Sequence, residues 1–386
     1  MSRDASVRTS SKPGVYAHVD RHRAMIDDDT RNAAYERALR AAITPDSVVL
    51  DLGAGLGIHG LLAARLGAKR VYLVEPHDVI QIAQQVAHAN GLSDRVVCRQ
   101  GRIEEITLPE RVDVIVSALT GNLLFEEDLL PTLFHARDRW LKTDGRLIPD
   151  SATLDAVPVS ATAYYQRHIE TWSESKCGLD FADVRAFATN TIFQDQGRFS
   201  GVRYLADPRT LQHVDLRTAN SADCHATAEY QATVGGTCHG CLGWCSIRLG
   251  DEWLSTAPHA PNVHWSPVFL PVAEPILLQP DDALRLRVTR PAHGCWSWRV
   301  SGAASDQKHS TVLSRPLPAQ LIEKQTTAYR PALSAHGTLV RDILARFDGH
   351  RTVQQISQEI AATRPEGQPG VTELSRLVAD LAQRCK

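Results

Sequence analysis

Residues 48–60 read VVLDLGAGLGIHG, an apolar run closed by Gly53, Gly55 and Gly57 before a helical pattern begins. An apolar run of this length, bounded by glycines, predicts a buried strand. Glycine at such a turn lets backbone approach a ligand and deliver it to the N-terminus of the next helix. Outward from this loop the pattern alternates. Strands are expected at 47–52, 70–74 and 112–117, with helices at 60–66 and 80–89, and this order calls for a parallel sheet covered on both faces.

A dinucleotide-binding loop needs its third glycine at position 58, where this chain has Ile58, so the spacing favours S-adenosyl-L-methionine as the cofactor. Glu75 closes the next strand, at an offset from Gly53 that suits a carboxylate accepting from both ribose hydroxyls. Without that acidic strand end, the glycines fit a tight strand-to-helix turn equally well. Asp51 has two readings: it holds the loop or the amino group of a methionine, or it only stabilises the turn.

The 386 residues suffice for two or three domains. Lys and Arg number 42 against 44 Asp and Glu, a formal net charge of −2 spread without long runs of one sign, which leaves no electrostatic footprint for nucleic acid or an anionic membrane. A mean hydropathy of −0.22 and the lack of a bilayer-length apolar run predict a soluble protein. The first fourteen residues are polar and lack the apolar core of a secretory signal, so a cytoplasmic location is expected. The eight cysteines are scattered and read as reduced thiols. Cys238 and Cys241 form a C-x-x-C, but residues three apart on a strand point to opposite faces and share no ion without a bulge, so no metal is expected.

Residues 1–45 are expected to be helical over 15–45, where Arg31, Tyr35, Ala38 and Leu39 recur at helical spacing before Pro45. The cofactor domain spans 46–148. Beyond it the period becomes two, which predicts a β-rich domain over 149–313, interrupted by helical pieces at about 163–199. A Pro-containing linker at 314–332 leads to a small helical domain at 333–386, where Asp348-Gly349 stops one helix and Thr352 caps the next.

These residues resemble the protein arginine methyltransferases over roughly 300 positions. The matching stretches are Tyr16-Ala17-His18 with HRAMIDDDTR at 22–31, VLDLGAGLGIHGLLAARLGAKRVYLVE at 49–75, GRIEEITLPERVDVIVS at 101–117, LLFEEDLL with GRLIPDSATL, and STAPHAPNVHW at 255–265. The resemblance implies an α/β Rossmann-like methyltransferase domain, a β-barrel domain with a helical dimerisation arm, and an N-terminal lid helix over the cofactor. It gives Arg31 the cofactor carboxylate, Glu75 the ribose, and Ile103 with Glu104 the adenine, and it pairs Asp28 with His264 across the active site. The family's acceptor loop holds the target guanidinium between two glutamates. Here Ala118 takes the first place, and matching LLFE with a one-residue deletion puts Glu126 in the second, whereas an ungapped reading takes Glu127. The insert from Tyr164 to Phe199, with Tyr165, Ile169 and Trp172 on one face, stands where the family projects its arm and implies a homodimer; a hairpin capping its own barrel is the alternative.

LSAHGTLVRDILARFDGHRTVQQISQEIAA at 333–362 resembles the helical part of PqqD-like domains, which grip leader peptides of ribosomally made precursors. A winged-helix or dimer-supporting appendage fits the same helices. The reading that follows is an S-adenosyl-L-methionine-dependent N-methyltransferase acting on a peptide or protein side chain, arginine by resemblance, with Glu126, His264 and Asp28 at the reacting centre. Three others stay open: a histidine or other heteroatom acceptor, a small-molecule acceptor, and a catalytically silent cofactor-binding scaffold.

Overall fold

The computed structural model describes residues 19–118, 121–195, 199–302, 305–324, 326–363 and 370–384. The chain forms two compact units, 1–316 and 317–386. Tyr16-Ala17-His18 lies outside the described residues.

The N-terminal stretch forms two helices, α1 (Val19–Ile26) and α2 (Asp29–Ala42), where a single helical run was expected. The cause of the break is local. Asp28 takes a non-helical conformation, φ −83° and ψ 79°, and its side chain accepts the Arg31 backbone N–H as the N-cap of α2. The cofactor domain follows as β1 (Val48–Leu52), α3 (Ile58–Arg65), β2 (Arg70–Glu75), α4 (Ile80–Ala89), β3 (Val96–Gln100), β4 (Val112–Ser117), α5 (Leu130–Trp140) and β5 (Leu141–Ile148). The five strands make a parallel sheet in the order β3-β2-β1-β4-β5. All five residues of β1 are buried, as a central strand covered on both faces requires. The strand order reverses beside β1, so the loop after it opens at the crevice where such sheets bind ligands.

The second half contains β6 (Ser151–Ser160), α6 (Thr162–His168), α7 (Val184–Ala188), β7 (Phe193–Gln194), β8 (Arg203–Tyr204), β9 (Arg209–Asp215), β10 (Cys224–Gln231), β11 (Gly236–Leu249), β12 (Glu252–Ser255), β13 (Val268–Leu278), β14 (Ala283–Arg290), β15 (Ser297–Gly302) and β16 (Ser305–Ser310). A seven-stranded and a four-stranded antiparallel sheet share one buried core, a barrel-like arrangement. Along β10 buried and exposed residues alternate strictly, the signature of a sheet with one dry face. The helical pieces of the insert pack a separate aromatic cluster in which Tyr164 meets Phe193, Phe199 and Phe269 edge-on.

In residues 317–386, α8 (Ala319–Glu323) precedes α9 (Ala335–Leu344), α10 (Val353–Ala362) and α11 (Val371–Arg384). The last three bury Leu339, Ile343, Ile356, Ile360, Leu374 and Val378. Thr352 and Gln355 form a reciprocal capping box at the start of α10. No helix among the described residues is long and apolar enough to cross a membrane.

β11 carries the C-x-x-C. A bulge lies between Cys238 and Gly240, yet Cys238 donates its thiol to the Gly240 carbonyl at 3.3 Å, and no cluster of three or more candidate metal ligands gathers among the described residues. Burial pushes the Cys238 thiol up to about 11, which keeps it protonated. Gly240 has φ +151°, and a Cβ there would lie 2.3 Å from the Leu270 carbonyl oxygen. Gly240→Ala is therefore expected to lower unfolding free energy by about 3 kcal/mol through overpacking and backbone strain. A denaturation midpoint equal to that of the unaltered chain contradicts this account of the bulge.

Candidate active site

The loop after β1 is built by backbone. The N–H groups of Gly53 and Ala54 donate to the Val74 carbonyl at 3.0 and 3.1 Å, and the Gly55 N–H donates to Glu75 Oε2 at 3.0 Å. Gly55 sits at φ +53° directly beneath a lid residue, because a Cβ there would meet His22 Cε1 at 2.7 Å. Glu75 Oε1 accepts from the His77 N–H at 3.0 Å and pairs with His77 Nδ1 at 2.7 Å, a bond that raises the His77 imidazole above its ordinary value. Behind the loop Asp51 Oδ2 accepts the Gly60 N–H at 2.7 Å. Burial, reinforced by Glu75 and opposed by Gly60 and Arg31, pushes Asp51 up to about 7.

Arg31 is 1% exposed and held from one side. Its Nη2 donates to the Met25 carbonyl at 2.6 Å and to Asn32 Oδ1 at 2.9 Å, and its guanidinium carbon lies 5.7 Å from the centre of the Trp265 ring. Asp28 Oδ2 accepts from the His264 backbone N–H at 2.7 Å and meets His264 Nδ1 at 2.9 Å. Burial works to raise the Asp28 pKa, but the bonds from His264 and from the Arg31 N–H outweigh it and leave the carboxyl below its usual range. Burial also lowers His264, against the pull of Asp28. The pair is thus an ionised carboxylate and a neutral imidazole; a carboxylate only accepts, so Nδ1 carries the proton and Nε2 keeps its lone pair.

A cavity of about 510 Å³ is lined by Arg31, Gly53, Gly55, Glu75, Ile103, Glu104 and His264 among the residues the sequence singles out. Asp28, Asp51 and Gly57 are not among its lining residues. His22, His59, His77 and Trp265 also line it. His22 and Trp265 belong to the matching stretches, but none of the four was given a site role from the sequence. His59 has a visible signal, a polar residue at a core position of the helical pattern IHGLLAAR.

On the acceptor side the structure places the two candidate carboxylates differently. Glu126 does not line the cavity, whereas Glu127 does, together with Ala118, Gly121 and Asp128. The Glu126 carboxylate instead accepts from Gln194 Nε2 at 3.1 and 3.2 Å, and burial, with Glu127 next to it, pushes it up to about 7. The reason is the shape of the loop. Leu124 and Asp128 both adopt positive φ, 59° and 57°, and Asp128 is fixed by Arg290 at 2.7 Å and by the His293 N–H at 2.8 Å. This fixed turn presents Glu127 to the cavity without any deletion in the match. Leu119 and Thr120 lie outside the described residues.

The donor set fits S-adenosyl-L-methionine: a buried arginine for a carboxylate, a strand-end glutamate for ribose hydroxyls, and an apolar wall at Ile103 beside Glu104, whose Oε1 accepts from the Thr132 hydroxyl at 2.8 Å. Residues 150–295 match the family described as the arginine methyltransferase oligomerization subdomain, and residues 43–207 match a methyltransferase domain family. The chain is 31% identical over 319 residues to the probable protein arginine N-methyltransferase 6 of Arabidopsis thaliana, covering 71% of this chain and 73% of that one. It is also 31% identical over 299 residues to the histone-arginine methyltransferase CARMER of Anopheles gambiae, but spans only 48% of that protein's length. Among solved structures, the Trypanosoma brucei PRMT1 enzyme-prozyme heterotetrameric complex with AdoHcy aligns with a TM-score of 0.70 at 25% identity, over 76% of this chain and 99% of that one. Arabidopsis thaliana protein arginine methyltransferase 10 shares the fold with a TM-score of 0.65 at 22% identity, over 77% and 99% of the two chains.

Fold and cavity together define an S-adenosyl-L-methionine-dependent methyltransferase. The chain belongs to the protein arginine methyltransferase family.

The raised Asp51 pKa has a signed consequence. Because the folded state keeps this proton up to about pH 7 while an unfolded aspartate releases it near its ordinary 3.8, this group's contribution to stability is fully present at low pH. It falls as pH rises through that window and is level above it. In Asp51→Asn the amide oxygen still accepts from Gly60, and nothing titrates. The stability of the unaltered protein relative to Asp51→Asn, from denaturant midpoints, is therefore expected to decline from pH 4 to 7, and a flat difference contradicts the assignment.

Proposed function

We propose that this chain transfers the methyl group of S-adenosyl-L-methionine to a guanidinium nitrogen of an arginine side chain in a peptide or protein. The observation that carries the reading is one cavity that brings Glu127 and His264 together with Arg31 and Glu75. When bound, S-adenosyl-L-methionine supplies a sulfonium-activated methyl carbon and leaves as the neutral thioether. Arg31 holds the carboxylate end, Glu75 the ribose, and Ile103 with Glu104 the adenine, while Gly53 and Gly55 let the backbone close on the ligand and Asp51 and Gly57 support that loop. Glu127 accepts hydrogen bonds from the acceptor guanidinium and turns one nitrogen toward the methyl carbon. His264 Nε2, with its lone pair available, takes the proton that this nitrogen loses, and Asp28 stabilises the imidazolium that results.

Ala118 in the cavity wall favours a second reading, a histidine or other heteroatom acceptor, because one carboxylate and a methyl group hold a full guanidinium charge less well than two carboxylates. The oligomerization-subdomain match supports assembly through the 163–199 arm as a homodimer. The resemblance of residues 333–362 to PqqD-like helices supports capture of a leader peptide, which raises the effective concentration of the core residue at the cavity.

Transfer of tritiated methyl to matched peptides containing a single arginine, histidine or lysine separates the acceptors. Arginine is expected to be labelled; label on histidine alone selects the second reading, and label on none contradicts both. With the labelled peptide, Glu127→Gln is expected to slow transfer by about 100-fold, about 2.7 kcal/mol of transition-state stabilisation, and Glu126→Gln by less than about threefold. The reverse order restores Glu126 to the acceptor. Removing residues 317–386 is expected to leave transfer to a short free peptide unchanged and to abolish transfer to a leader-bearing precursor; equal effects on both contradict the leader reading.

A further inference from the structure

Glu75 ends β2 with both carboxylate oxygens already engaged. Oε2 accepts the Gly55 N–H at 3.0 Å, and Oε1 accepts the His77 N–H at 3.0 Å together with His77 Nδ1 at 2.7 Å. A carboxylate offers about four lone-pair sites, and these donors, all from the described residues, take three. Two ribose hydroxyls need two sites, so one donor has to leave when both bind. The two N–H groups belong to backbone held on either side of Glu75: Gly53 and Ala54 donate to the Val74 carbonyl at 3.0 and 3.1 Å, and His77 follows Glu75 by two residues. The imidazole is the donor that leaves by side-chain rotation alone.

The ring is also the outer member of the pair. The side chains of His77 and Glu75 are 32% and 7% exposed, and both residues line the cavity. Water already reaches the imidazole, so solvent takes over its hydrogen bond when it turns away. The charged groups that act on it are Glu75 and Asp78, the second held in the same turn by Gln100 Nε2 at 2.5 Å. Arg102 and Glu104, which line the same cavity, pair with each other at 3.6 Å, and His22 reaches the cavity from α1 over Gly55. The bond to Glu75, with the charges of Glu75 and Asp78, raises the imidazole above its ordinary 6.5 against the effect of burial.

From the three donors on one carboxylate, we infer that His77 gates the ribose site: its ring holds Glu75 Oε1 until a cofactor hydroxyl takes that oxygen, and it then turns toward water. The inference rests on the assignment of Glu75 to the ribose. Its consequence is linkage between cofactor and proton. An imidazole that loses Glu75 returns toward its ordinary value, so binding releases a proton in the window that opens near pH 6.5 and extends upward, and affinity rises with pH through that window. Below it the charged ring and the ribose compete for one oxygen. Above it the neutral ring is the weaker competitor.

Calorimetric titration of the full chain with S-adenosylhomocysteine, repeated at pH 7 in buffers of different ionisation enthalpy, counts the protons released per site. The unaltered protein is expected to release about 0.2 proton or more beyond His77→Ala, and its affinity is expected to rise from pH 6 to pH 8 by about threefold more than that of the variant. His77→Phe, which keeps a ring without a donor, is expected to match His77→Ala and guards against collapse of the turn. Asp51, which also titrates near 7, is common to all three proteins and drops out of the difference. Equal proton counts or parallel affinity profiles overturn the gate. So does weaker binding by His77→Ala than by the unaltered protein at pH 6, which makes the ring a cofactor contact and not a competitor. Glu75→Gln separates the gate from the reading beneath it: binding as tight as that of the unaltered protein means that the ribose assignment has failed, and no binding by the unaltered protein means that the cofactor assignment has.

Discussion

The Asp28 carboxylate accepts from its own turn and from a segment 236 residues away: the Arg31 N–H on one oxygen at 2.9 Å, and the backbone N–H and Nδ1 of His264 on the other at 2.7 and 2.9 Å. One side chain thus starts α2 and anchors the barrel loop that carries His264 and Trp265. Arg31 follows one turn later and reaches back to the Met25 carbonyl at the end of α1. The Arg31 side of the cavity and the end of α1 are therefore set by the same short turn. A carboxylate with three donors at these distances stays ionised, and that charge decides which nitrogen of His264 carries the proton.

The acceptor side is organised by a different pair. Asp128 and Arg290 are almost fully buried, with side chains 5% and 3% exposed, and they tie the loop after β4 to the end of β14. A buried pair of this kind fixes geometry more than it adds stability. Its consequence is the left-handed turn at Asp128 that sends Glu127 inward and Glu126 toward Gln194 at the arm. Asp128 is paired with Arg290, and Glu127 lines the cavity beside it.

Much of the cofactor half is legible in the sequence because its signals are local. The glycines must follow β1, Glu75 must end β2, and Arg31 sits one turn into a capped helix, all within a few residues of the features that reveal them. The features that were misread depend on distant partners. The sequence left Glu126 and Glu127 to a gapped and an ungapped match, and the turn that sets them apart is held by Arg290, which lies 162 residues from Asp128. The break at Asp28 was hidden because three consecutive aspartates, Asp27, Asp28 and Asp29, obscure which one caps. At the bulge in β11, strand alternation alone does not reveal the kink at Gly240, which comes from the close approach of the Leu270 carbonyl.

A crystal structure of the chain grown with S-adenosylhomocysteine tests the central claim most directly. The account predicts density in the cavity, with the ligand carboxylate on Arg31, the ribose on Glu75 and the sulfur facing Glu127 and His264. A ligand bound elsewhere, or seated in the cavity with its amino-acid end turned away from Arg31, would contradict it.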